Sequence, residues 1–504
     1  MSTHSSAESM EKRHGEAIDR ATTDLTFGHW IDGETVDAAN GETFETTDPA
    51  VSTAITSVSR GESTDIDRAV SSARRAFETE WRETTPRSRA KVVREWTAVL
   101  REHVDELTLL ESLDTGKPLE YARGEIGDTI EYLEYYVSVA QAHEGAHLPQ
   151  GGDNHVYIRN EPYGVAGQIL PWNYPLNLFG WKVGAALAAG NTVVCKPSEE
   201  APLSITRAAQ LSADVLPNGV LNVVNGFGTE AGAPLTQHDD VDKLSFTGSV
   251  PVGKQVMTAA ADHIVPVTLE LGGKSPFVVF PDADIEQAAE TAAAGLFYNT
   301  GQSCDACSRI LVHEDVHERF TDAFVTATDG WSAGDPLVDG TTLGPLTFEE
   351  QYDKVSEYVE LGREEGADLI YGGERPAGEL ADGHFFEPTV FDDVDNDMRI
   401  AQEEIFGPVE CIITFENYEE AIELANDVEY GLAAGVATRD TTTAHRAAAD
   451  IRAGSIWVNE YHGGGPGIPF GGFKASGIGR ECAEETIGEY TQSKSVTIAL
   501  DEPL

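Results

Sequence analysis

Between about residues 160 and 275, short runs rich in β-branched residues alternate with stretches of helical spacing. Runs at 165–170, 192–196, 220–224, 243–247 and 265–271 read as strands, and Asn225-Gly226 stops the third. Stretches at 178–189, 201–215 and 251–261 read as helices, the last with Pro251 in its first turn. A chain that alternates in this way folds into a parallel sheet with helices on both faces. Ligands of such sheets sit at the carboxyl ends of the strands. A second α/β region follows, with a strand at 275–280 and a helix at 282–297 capped by Asp282 or Asp284. Alternation continues over 309–458, a glycine-rich stretch at 463–467 breaks it, and a β-rich tail runs over 490–500. No internal repeat or long linker interrupts the 504 residues, a length that calls for two or three domains.

Residues 1–24 are polar and charged, without the apolar segment of a secretory signal, and read as a frayed arm. No apolar run is long enough to cross a membrane. The net charge of −52 comes from 86 acidic against 34 basic residues, spread along the chain. Such self-repulsion calls for screening by concentrated salt, so the balance reads as adaptation of a whole surface to a salt-rich cytoplasm. A nucleic-acid mimic and a metal-storage surface are the alternatives. Direct binding of nucleic-acid phosphates is disfavoured. Five cysteines form no disulfide framework and fit a reducing compartment. Cys304-Asp305-Ala306-Cys307 is formally a CxxC, but no second pair stands at zinc spacing, so no metal site is expected. A Cys304–Cys307 disulfide is the other reading of that spacing.

Several short motifs sit at the ends of these elements. In Pro171-Trp172-Asn173-Tyr174-Pro175 two prolines fix the backbone around Asn173. That amide can serve a developing oxyanion, or the segment is an ordinary turn. Lys196-Pro197-Ser198-Glu199 ends a strand; its lysine and carboxylate suit ribose hydroxyls, and Ser198 also suits a helix cap. Phe246-Thr247-Gly248-Ser249 leads into a helix whose free N–H groups attract phosphate. The stretch 226–232, with Gly228, approaches a GxGxxG without its spacing. Glu270-Leu271-Gly272-Gly273-Lys274 precedes Gly301-Gln302-Ser303-Cys304. A thiolate attacks carbonyls and a nearby carboxylate can activate it or water. Taken singly, Cys304 also reads as a packing residue and Glu270 as a surface acid. Glu403-Glu404-Ile405-Phe406-Gly407-Pro408 and Pro469-Phe470-Gly471-Gly472-Phe473-Lys474 complete the set.

In this order, and with Lys182 and Glu481, the motifs resemble those of the hydrolytic NAD(P)-dependent aldehyde dehydrogenases over residues 27–497. The resemblance implies an α/β fold with a Rossmann-like cofactor domain (25–144 and 163–271) and an α/β catalytic domain (272–469). A small β oligomerisation element would combine 145–162 with 484–500. Cys304 would be the nucleophile, Asn173 and the Cys304 N–H the oxyanion hole, Glu270 the base, and Lys182 and Glu481 a proton relay. Lys196, Glu199 and Gly228 would meet the adenosine end of the cofactor. Trp172, Phe246, Gly248, Ser249 and Leu271 would line its site, with Glu404 and Phe406 at the nicotinamide ribose. Glu199 would repel a 2′-phosphate, which favours NAD over NADP.

Tyr174, Leu178, Trp181, Tyr298, Ser303, Asp305 and Phe470 would line the substrate tunnel. The aromatic residues suit an apolar or a cationic aldehyde, and Asp305 favours a cationic one, with betaine aldehyde as one candidate. The partners implied are a small aldehyde and identical subunits, in a cytoplasmic homodimer or homotetramer. The competing readings are a relative that passes the thioester to another acceptor, against which Glu270 argues, and a non-catalytic protein on the same scaffold.

Overall fold

The computed structural model describes residues 9–149 and 153–500. Residues 1–8 of the expected arm and 150–152 of the expected β element lie outside the described residues.

The five expected strands form the centre of an eight-stranded sheet: Val267–Glu270, Lys243–Thr247, Val165–Ile169, Thr192–Lys196 and Leu221–Val223, in that spatial order. They run parallel, and antiparallel strands close both edges. Their side chains are buried throughout, apart from the intermediate Ile169 and Val267, because helices cover both faces. One covering core holds Trp96, Tyr136, Phe179 and Val193; the other holds Ile66, Val194, Leu244 and Leu269. A second, seven-stranded sheet carries Pro276–Val279 at its interior beside Arg309–His313 and Ala433–Ala437. A third sheet pairs Thr491–Ala499 with Asn154–Pro162 over nine residues, leaving the former as an edge strand.

Three local expectations are corrected. The helix over 201–215 is only Leu203–Gln210. Beyond it, the Ser212 hydroxyl bonds the Ala209 carbonyl at 2.6 Å, and turns lead into Pro217. Helix Ile285–Phe297 is preceded by Asp284, which makes no capping bond. Asp282 instead accepts from the Thr438 hydroxyl and the Arg439 and Asp440 N–H groups at 2.8–2.9 Å, tying two elements of the second sheet together.

The third correction concerns the arm. Residues Met10–Thr22 form a helix capped by Ser9. Met10, His14, Ala17, Ile18 and Ala21 recur every three to four positions and are buried, an amphipathic face that charge content concealed. His14 lies between Asp48 (2.5 Å) and Asp335 (3.0 Å). Burial pushes the imidazole pKa down, but hydrogen bonds and charge from the two carboxylates outweigh it and raise it to about 9. A histidine raised in the folded state adds stability that is complete below about pH 6.5 and vanishes as pH rises through the folded value. Wild type should therefore lose on the order of 3 kcal/mol between about pH 7 and 9.5, whereas His14→Gln lacks this slope. Urea titrations across that range check it, and parallel pH slopes in the two proteins refute it.

Candidate active site

The site collects at the carboxyl ends of the first sheet and at the turn after helix Ile285–Phe297. Asn173 follows strand Val165–Ile169 and precedes a helix that begins at Pro175. It is buried, and its amide donates to the Gln302 carbonyl at 2.9 Å. Its own carbonyl accepts from Lys117 Nζ at 2.9 Å and Asn299 Nδ2 at 3.0 Å.

Cys304 ends a turn in which Asn299, Thr300 and Gly301 all have left-handed φ, at 52°, 59° and 70°. A Cβ on Gly301 would lie 2.2 Å from the Gly407 carbonyl oxygen, so only glycine fits there. Consecutive left-handed residues cost about 1–3 kcal/mol each, strain typical of functional sites. Of the five free cysteines only Cys304 is partly exposed; Cys307 is buried with its thiol 3.3 Å from the Ala292 carbonyl. Burial pushes the Cys304 thiol well up, and the charges of Asp305, Glu404 and Glu270 add to this.

Glu270 is the last residue of its strand and buried, and neither of its carboxylate oxygens is hydrogen-bonded among the described residues. Burial, then the charge of Glu481, raises its pKa well above the usual range. Glu481 forms a buried ion pair with Lys182 at 2.5 Å. That pair sits outside the lining of either cavity described below.

Two cavities meet at this point. One, of about 310 Å³, is lined by all seven expected substrate residues: Tyr174, Leu178, Trp181, Tyr298, Ser303, Asp305 and Phe470. The other, of about 160 Å³, is lined by Trp172, Asn173, Gly248, Ser249, Leu271, Glu404 and Phe406 among others. The lining residues shared by both are Thr247, Glu270 and Cys304. The second cavity opens on helix Val250–His263, whose cap Ser249 makes no side-chain capping bond, so the first-turn N–H groups remain available. Phe246 lies beneath Gly248 and does not line the cavity. Lys196 and Glu199 form an ion pair at 2.7 Å, and the Gly228 N–H points to Glu199 at 3.4 Å. Glu404 accepts from the Gly273 N–H at 3.0 Å.

Residues 35–496 match the sequence model of the aldehyde dehydrogenase family. The chain belongs to that family. It is an oxidoreductase acting on aldehydes. It is similar to the mitochondrial benzaldehyde dehydrogenase of Antirrhinum majus, 46% identical over 94% of this chain and 89% of that protein. An aldehyde dehydrogenase from Bacillus cereus, solved in complex with NAD+, superposes with a TM-score of 0.93 at 44% identity, covering 96% of this chain and 98% of that one. A betaine aldehyde dehydrogenase from Staphylococcus aureus, also with NAD+, gives a TM-score of 0.95 at 39% identity, covering 97% and 98%.

Several aldehyde dehydrogenase cavity residues escaped the sequence reading. Thr247 belongs to the Phe246-Thr247-Gly248-Ser249 motif and lies at the junction of the cavities, where its buried hydroxyl has no hydrogen-bond partner among the described residues. Its place as the last residue of a central parallel strand was a usable signal. Glu125, Asp128 and Asn177 also line the larger cavity, as does His462. Glu125 and Asp128 look like any other acids in a chain with 86 of them. His462 immediately precedes the glycine run 463–467. It lines the larger cavity 3.4 Å from Asp305. Burial raises the Asp305 pKa, but the His462 charge and bonds from His462 and Ser303 outweigh it and hold the carboxyl below its usual range.

Proposed function

We propose that this aldehyde dehydrogenase oxidises a cationic aldehyde to its carboxylic acid, using NAD and a Cys304 thioester. The observation that carries the reading is the meeting of two cavities at Cys304, Glu270 and Thr247. A substrate held in the larger cavity presents its carbonyl where Cys304 Sγ, once its thiol proton has been released to solvent, can form a C–S bond. The carbonyl electron pair then moves to oxygen, which the Asn173 amide and the Cys304 N–H stabilise. A bound nicotinamide dinucleotide supplies the hydride acceptor for the oxidation that leaves a thioester on Cys304. Glu270 then takes a proton from water, the water oxygen adds, the C–S bond breaks and the acid departs. The Lys182–Glu481 pair behind Glu270 is proposed to pass that proton on.

The residues present suit the dinucleotide. Lys196 and Glu199 would hold ribose hydroxyls, with Glu199 disfavouring a 2′-phosphate, and Gly228 lies beside them. Gly248 and Ser249 would present the helix N–H groups to phosphate. Trp172, Leu271, Glu404 and Phe406 would enclose the nicotinamide end, with Phe246 supporting Gly248 from below. The two solved relatives described above were determined in complex with NAD+.

Relatives named for benzaldehyde and betaine aldehyde leave the substrate to be set by this cavity. Its wall carries the aromatic side chains of Tyr174, Trp181, Tyr298 and Phe470 and the carboxyl groups of Glu125, Asp128, Glu270 and Asp305, with His462 beside Asp305, and no lysine or arginine lines it among the described residues. A cation gains from both sets, and an anionic aldehyde meets repulsion. Division into 25–144 with 163–271, 272–469 and the β element remains our proposal, as does self-association through the edge strand Thr491–Ala499. The same holds for a cytoplasmic, salt-rich setting, which the free thiols and the net charge support.

NADH formation in molar KCl, measured across betaine aldehyde, an aminoaldehyde, neutral aliphatic and aromatic aldehydes and succinic semialdehyde, tests the substrate class. We expect kcat/KM for the cationic substrates to exceed that for succinic semialdehyde at least about tenfold, a difference of about 1.4 kcal/mol. Equal turnover of cationic and anionic substrates sinks the charge reading and leaves aldehyde oxidation standing.

A further inference from the structure

Asn173 and the nucleophile turn are remote in sequence, 129 positions separating Asn173 from Gln302. One side chain ties them together. Asn299 is buried, and its Nδ2 donates to the Asn173 carbonyl at 3.0 Å and to the Gln302 carbonyl at 3.2 Å. Its own backbone carbonyl accepts from the Gln302 N–H at 3.0 Å and from Gln302 Nε2 at 3.2 Å. Gln302 Oε1 in turn accepts from the Thr347 N–H at 3.0 Å, anchoring the turn to the second region of the chain.

An amide nitrogen carries two hydrogens. Asn299 spends both on the two carbonyls. Asn173 spends one on Gln302, which leaves one for an incoming carbonyl oxygen beside Cys304. Rotation of the Asn173 side chain would break its bond to Gln302, and displacement of its backbone would break the bond from Asn299. We infer that Asn299 is a positioning residue for the oxyanion hole, fixing the Asn173 amide relative to Cys304. The inference rests on the proposed role of Asn173 as oxyanion donor. Lys117 holds the same carbonyl, but it also pairs with buried Glu125, so its removal would strand a carboxylate. Asn299 gives the cleaner test. Its φ is 52°, so Asn299→Gly keeps the backbone conformation while removing the side chain that carries the donors.

The experiment is a double-mutant cycle on the full-length enzyme. It measures kcat/KM for an aldehyde in wild type, Asn299→Gly, Asn173→Ala and the double variant. Alkylation of Cys304 by iodoacetamide is followed in parallel, because that displacement develops no oxyanion. Asn299→Gly should lower kcat/KM roughly 10- to 100-fold, mostly through kcat, since misplacement by about 1 Å can cost 10². Its alkylation rate should stay within about twofold of wild type. In the Asn173→Ala background the same change should cost less than about threefold, because the group it positions has gone. A parallel fall in alkylation, or an equal penalty in both backgrounds, overturns the inference and makes Asn299 a support of the turn alone. If Asn173→Ala leaves kcat/KM intact while Asn299→Gly does not, the oxyanion reading itself has failed. Should Asn299→Gly unfold early, Asn299→Ala, which also lacks the donors, must give the same pattern.

Discussion

Replacing Cys304 by alanine should lower kcat for aldehyde oxidation by about 10⁴-fold or more, the scale seen when a covalent nucleophile is removed. No neighbouring thiol can substitute. Cys307 is buried, its thiol engaged with the Ala292 carbonyl, and burial pushes its pKa well up. Cys195, Cys411 and Cys482 are buried as well. The same isolation gives a second measurement. Native protein should show a single thiol accessible to iodoacetamide, and Cys304→Ala should show none. NAD binding, followed by fluorescence quenching or calorimetry, should survive, because the ribose and phosphate contacts proposed at Lys196, Glu199 and Ser249 lie elsewhere. Residual NADH formation within tenfold of wild type would remove the covalent mechanism. A retained reactive thiol would show that another cysteine is accessible in solution.

The parts of the site legible in the sequence were those that chemistry confines to a few residue types. A nucleophile and a base must be particular residues, and Cys304 and Glu270 came with glycines and a fixed order of neighbouring motifs. The parallel sheet was legible for a related reason: short runs carrying β-branched residues, such as Thr192–Lys196, alternate with stretches of helical spacing. Positioning groups leave no such mark. Asn299 acts through two carbonyls, one of them 126 positions away, and nothing about an asparagine in a turn announces that reach. Glu125 and Asp128 were lost in an acidic background, and the docking of the first helix was hidden because its apolar stripe lies among charges. Asp282 was legible as a cap by local rules and was claimed instead by a distant loop. The illegible features share one property: their partners are chosen by tertiary approach, which spacing does not encode.

Glu270→Gln should separate the two halves of the reaction. The amide keeps the shape of the carboxylate and cannot take a proton from water. Thioester formation needs Cys304 and the oxyanion donors, so a rapid burst of about one NADH per subunit should persist. Steady-state turnover should then fall about 10²- to 10⁴-fold, the range that general-base catalysis contributes. Rapid mixing resolves the two phases in one trace. The surroundings of Glu270 add a pH signature. Burial, with the neighbouring Glu481 charge, holds its pKa well above the ordinary carboxyl range, so it enters the basic form only as pH rises through that raised value. Wild-type deacylation should therefore climb with pH along that limb, and Glu270→Gln should lack it. Unchanged steady-state turnover would deny Glu270 the role of base. Loss of the burst in proportion to turnover would move its action to the attack of Cys304. Glu270 lines both cavities where they meet, the place where a water molecule and a thioester must arrive together.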